Sequence, residues 1–163
     1  MDVTVVAAAA GLRALAVARR NLGVREEPPG SNRTPFGEWF GENGVPWCAI
    51  FVSYCFAEGA GVTLGRGHPG AWRRGMSSVP LLEAWLRATG RWLVDAEPRP
   101  GDIVVFNWDG GVPDHVGLVE RPLPGARLRT IEGNTAVGND SNGGQVMRRI
   151  RPMSRVEGFG RIV

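Results

Sequence analysis

The chain has 163 residues, 43% hydrophobic and 21% charged, with a net charge of +3. That length buries a core without metals or disulfides, and the balance excludes a disordered, collagen-like or disulfide-scaffold chain. No apolar run reaches the roughly 18 residues that cross a bilayer, so no membrane insertion is expected.

The N-terminal stretch MDVTVVAAAAGLRALAVARR starts with Asp2 and is interrupted by Arg13, so it reads as part of the fold and not as a signal peptide. Ala7 to Leu22 carries apolar and basic residues at helical spacing and stops at Gly23. EEPPGSNRTP reads as a loop, PFGEWFG as a short helical piece and ENGVP as a break. WCAIFVSYCFAEGA is a strongly apolar helix with Pro46 at its first position. Residues 61–79 form a long irregular loop, and LLEAWLRATG is a helix ending at Gly90. DIVVFNW, HVGLVE, RLRTIEG, QVMRRI and GFGRI then read as short strands between turn signals. Helices first and strands second predict an α+β fold with an antiparallel sheet. With no linker or internal repeat, residues 1–163 read as one domain.

All 19 basic residues are arginine. Such a surface favours polyanions. No arginine-rich tail or regular interleaving of arginine with aromatics is present, so no nucleic-acid partner is expected. Cys48 and Cys55 lie two turns apart in one helix, about 10 Å along its axis. A disulfide needs Cα atoms closer than about 7 Å, so the two do not pair. Free thiols fit a reducing compartment.

Cys48 falls at about the third residue of the apolar helix. The first backbone N–H groups of a helix have no partner inside it and favour negative charge. A thiol there ionises more easily, and the thiolate is the nucleophile. The same N–H groups can receive an oxyanion. The competing reading of Cys48 is a small core residue; for Cys55 the core reading is taken.

Of the two histidines, His68 lies in a Gly-rich loop and reads as a surface residue. His115 opens a strand. If the hairpin is symmetric about Leu123 and Pro124, Glu120 faces Arg127, Val119 faces Leu128, Val116 faces Ile131 and His115 faces Glu132. Asn134 points to the same face. A carboxylate or amide beside an imidazole fixes its tautomer and stabilises the imidazolium. An ordinary cross-strand polar pair is the alternative. Zinc on Cys48, His115 and Glu132 is a weaker arrangement, because the close-spaced ligand pairs of zinc sites are absent.

PWCAIFVSYC, PRPGDIVVFNW, PDHVGLVE and TIEGNT, in that order, resemble the CHAP family of cysteine, histidine-dependent amidohydrolases and peptidases, related to the NlpC-type papain-like enzymes. The lead-in to the cysteine is similar to catalytic domains of endolysins from phages of actinobacteria. The resemblance implies a papain-like fold and cleavage of an amide bond in the peptide part of bacterial peptidoglycan. It matches Cys48 to the nucleophile, His115 to the base, and Glu132 to the orienting group with Asn134 in support. Some members carry an acidic calcium-binding stretch before the cysteine. Here only Glu38 and Glu42 are acidic there, so no structural metal and no cofactor are expected. No separate wall-binding domain is expected in this chain. Trp39, Trp47 and Trp108 are candidates to line a substrate groove, and Arg73, Arg74, Arg148 and Arg149 to meet wall anions. The absence of a signal peptide predicts synthesis in the cytoplasm and action on the wall after release, or as part of a virion. A non-catalytic virion or wall-binding module with the same fold is the alternative function.

Overall fold

A computed structural model describes residues 3–139 and 142–162, with side chains from residue 10 onward. The helices come first: α1 (Val3–Arg20), α2 (Pro35–Phe40), α3 (Cys48–Ala60) and α4 (Val79–Ala88). Six strands follow: β1 (Trp92–Leu93), β2 (Ile103–Phe106), β3 (His115–Leu123), β4 (Arg127–Thr135), β5 (Gln145–Pro152) and β6 (Val156–Gly160). They make one antiparallel sheet in the order β1-β6-β2-β3-β4-β5. This is the α+β, papain-like architecture that the sequence pattern predicts. None of the described helices is long and apolar enough to cross a membrane.

α3 is apolar on every side and becomes the central helix, with Ile50, Phe51, Val52, Cys55 and Phe56 fully buried. α1 packs closely on it because Gly59 has no side chain. A Cβ there would lie 2.5 Å from the Arg13 carbonyl oxygen, closer than real contacts allow. The main core fills the space between the helices and one face of the sheet, where Ile103, Val105, Val116, Leu118 and Ile131 point. A smaller cluster of Val104, Phe106, Val119, Leu128 and Phe159 covers the other face. β2 is buried on both faces, which explains its unbroken Ile-Val-Val-Phe sequence.

Two details differ from the sequence reading. Pro46 lies outside α3 and Trp47 is its N-cap, so Cys48 is the first helical residue, not the third. The β3–β4 hairpin is also set differently. Its turn is Pro124-Gly125-Ala126, with left-handed φ of 78° at Gly125 and 52° at Ala126. Near the site, Leu118 pairs with Ile131 and Val119 with Thr130, so neither Val116–Ile131 nor Val119–Leu128 is a pair. Arg127 faces Leu123, and Glu120 sits in a bulge where the register shifts. The three-residue loop moves the register by three and the bulge at Glu120 returns one, so beside His115 the shift is two. Strand side chains alternate with period two, so this even displacement leaves Glu132 on the expected face.

Glu120, turned inward at the bulge, collects arginines from three elements. Its carboxylate accepts from Arg19 of α1 at 2.8 Å and Arg148 of β5 at 2.7 Å, and pairs with Arg129 of β4 at 2.6 Å. Burial alone would raise its pKa, but these guanidinium groups hold it down at about 2.

Candidate active site

α3 packs on β3 and β4 and carries Cys48, which is buried, in its first turn. Thr34 caps α2 and Ser78 caps α4 with side-chain hydrogen bonds to backbone N–H groups. Trp47, at the start of α3, offers no such bond. The first-turn donors of the thiol-bearing helix are therefore left without a capping side chain, in the arrangement that receives an anion.

His115 is the first residue of β3, paired with Phe106 of β2 and wholly buried. Its ring stacks 6.1 Å from Trp108, which in turn stacks 5.0 Å from Phe106. The imidazole Nε2 lies 2.8 Å from Glu132 Oε1. With Nε2 committed to Glu132, Nδ1 is the ring nitrogen left for Cys48. Burial pushes the His115 pKa down, yet hydrogen bonding to Cys48 and Glu132 outweighs it and raises the pKa from 6.5 to about 9. Both neighbours thus favour the imidazolium over the neutral ring.

Glu132 reaches His115 diagonally, because the residue nearest it across the sheet is Gly117. A Cβ on Gly117 would lie 2.6 Å from Glu132 Cγ. Glu132 is fully buried and fully bonded. Arg151 Nη2 donates to Oε1 at 2.6 Å and Arg151 Nε to Oε2 at 2.9 Å, and Thr130 Oγ1 donates to Oε2 at 2.5 Å. Burial would raise its pKa; bonds from Arg151 and His115 bring it down to about 2. The carboxylate stays charged beside the ring.

The structure thus brings Cys48, His115 and Glu132 together. Asn134 is buried next to them with a left-handed φ of 57°, and its amide nitrogen donates to Asn142 at 3.1 Å. Trp108 lies half-buried against His115. Trp39 is half-buried on α2, edge-on to Tyr54 and under the Arg74 guanidinium at 5.4 Å. Trp47 corrects an expectation: it is fully buried and stacked with Phe36, so it supports α3 and does not line a groove. Of the surface arginines, Arg148 is committed to Glu120, while Arg73 is exposed in the tight turn between Trp72 and Gly75. His68 accepts from the backbone of Gly70, a turn role. Cys55 is fully buried, and burial pushes its pKa well up. Both cysteines are free thiols. Among the described residues no group of three or more His, Cys, Asp or Glu is placed to hold a metal ion.

Sequence reasoning missed Arg151 and Thr130. The signal was present: a carboxylate on a buried strand face needs a cation, and Arg149 and Arg151 alternate along β5 on the face that Met147 shares with Glu132.

An α+β sheet with a thiol at a helix N-terminus, facing a histidine held by a carboxylate, defines the papain-like class. A CHAP domain family model matches residues 40–134, more than half of the chain, and the chain belongs to that family. The crystal structure of Ly7917 is similar over 93% of this chain, with 22% identity and a TM-score of 0.53. A second structure, Ly7917 with the hydrolyzing product of MDP, matches at 20% identity and a TM-score of 0.52. The chain spans 62% of the length of that protein. A search of curated proteins finds no match.

Proposed function

We propose that the chain is a peptidoglycan hydrolase that opens an amide bond in the wall peptide by a Cys48–His115–Glu132 thiol mechanism, as an N-acetylmuramoyl-L-alanine amidase or an endopeptidase. Membership of the CHAP family supports the reaction class, and the similarity to a protein crystallised with a hydrolysis product of MDP supports the substrate. The single observation that carries the mechanism is the His115 ring, locked by buried Glu132 at 2.8 Å through Nε2 with Nδ1 left for Cys48. A phage endolysin, made in the cytoplasm and acting on the wall after release, is the setting we propose.

His115 Nδ1 takes the proton of the Cys48 thiol, and Glu132 stabilises the imidazolium that forms. The sulfur attacks the amide carbonyl, and the first-turn N–H groups of α3, including that of Cys48, receive the oxyanion. The C–N bond breaks as His115 Nδ1 gives its proton to the leaving amine. Nδ1 then takes a proton from water, whose oxygen attacks the thioester and restores the thiolate. Glu132 holds Nε2–H throughout and keeps Nδ1 aimed at the sulfur.

The test is release of soluble fragments and free amino groups from purified walls by wild type, Cys48→Ala and His115→Ala. Both variants are expected to keep the wild-type circular dichroism spectrum and lose activity. Wild-type lysis by Cys48→Ala would overturn the mechanism.

A further inference from the structure

We infer that Arg151 is a positioning residue for the reaction: its guanidinium fork fixes Glu132 from behind and its face supports Trp108, so that both partners of the His115 ring are held by one side chain. The inference rests on the thiol-hydrolase reading above.

The geometry is that of a buried relay. Arg151 is 4% exposed, and Glu132 is 0% exposed. Two parallel N–H···O bonds, at 2.6 and 2.9 Å, set the plane of the carboxylate. The Arg151 guanidinium also lies 4.9 Å from the Trp108 ring centre and 5.8 Å from that of Phe106. Trp108 and Phe106 both stack on His115, each at 6.1 Å. Arg151 therefore acts on the imidazole along two routes, one through charge and one through stacking. A lysine supplies the charge but neither the fork nor the flat face.

The charge route is strict because the site is buried, with Glu132 and His115 both 0% exposed. A lone carboxylate without water or a cation prefers to take up a proton. Without Arg151, Thr130 and His115 would remain, among the described residues, as the partners of the Glu132 oxygens. A neutral Glu132 no longer favours the imidazolium. The charged or titratable groups acting on His115 are Cys48 from α3 and Glu132 from β4, with Arg151 of β5 behind Glu132. β2 and the segment after it stack Phe106 and Trp108 on the ring, and Asp114, just before His115, accepts from the Trp108 backbone N–H.

The test uses Arg151→Met and Arg151→Lys, with Glu132→Gln for comparison. Two readouts are taken against pH: wall hydrolysis, and the rate of iodoacetamide alkylation at Cys48, located by peptide mapping. Arg151→Met is expected to lose about 100-fold in kcat/KM, the scale of an ångström of misplacement. In its alkylation profile, the limb set by His115 in wild type near pH 9 moves down toward 6.5, as it does in Glu132→Gln. Arg151→Lys falls between, with a partial shift. If Arg151→Met does not fold, Arg151→Lys decides. An unshifted limb in the folded variants, with kcat/KM within twofold of wild type, overturns the inference. If wild type hydrolyses no wall, the functional reading fails, while the alkylation profiles still decide the role of Arg151.

Discussion

Gly117→Ala is the sharpest test of how the sheet positions the Glu132 carboxylate. The added methyl would lie 2.6 Å from Glu132 Cγ and 3.1 Å from the Ile131 carbonyl oxygen. Carbon atoms pack at about 3.5–4.0 Å, so the Glu132 side chain must retreat by about 1 Å. The His115 bond, 2.8 Å long, and the Arg151 fork end on that side chain, so neither survives the retreat intact. The expected loss in kcat/KM is about 100-fold, or about 2.7 kcal/mol of barrier. Overpacking adds about 1–3 kcal/mol of instability, partly offset because alanine loses less backbone entropy than glycine. The assay is dye release from labelled walls, with thermal unfolding alongside. A folded Gly117→Ala protein with wild-type kcat/KM would refute the claim that the empty glycine position admits Glu132 to His115.

Stability should be highest between about pH 4.5 and 6.5. His115 binds its proton more tightly folded than unfolded, so its contribution is complete below 6.5 and is lost as pH rises through about 9. Glu120 and Glu132 hold theirs more weakly, so their contribution is complete above 4.5 and is lost as pH falls toward 2. Thermal scans of His115→Ala should lack most of the alkaline decline; an unchanged decline there would assign it elsewhere. Glu120→Gln leaves Arg19, Arg129 and Arg148 facing one another without their anion. A loss of about 1–3 kcal/mol is expected, lowering Tm by about 2–4 °C for each. An unchanged Tm would show that the bulge carboxylate is dispensable.

Much of this site is legible in local pattern. The apolar segment after Pro46 marks α3, and the alternation in HVGLVE and RLRTIEG puts His115 and Glu132 on one face. Parity decides the outcome: the loop alone shifts the register by three, which would exchange the faces, and the bulge at Glu120 makes the shift two, so His115 and Glu132 still meet. The register itself was hidden by turn chemistry, since Gly125 and Ala126 take left-handed angles in a three-residue loop and Glu120 bulges out of the ladder. β1 escaped notice because two residues, Trp92 and Leu93, carry no period. Arg151 was hidden for a different reason. In a chain whose basic residues are all arginine, composition makes each one look solvated, and only burial separates a forked partner from a surface charge.

The proposed function stands on Cys48 opening an amide bond of the wall. The most direct measurement is mass spectrometry of purified peptidoglycan digested by wild type and Cys48→Ala side by side. New chain ends are expected with wild type alone. A free lactyl carboxylate paired with an alanine amine would mark an amidase, and ends within the peptide an endopeptidase. The same ends from Cys48→Ala, or no new ends from wild type on several wall types, would contradict that function.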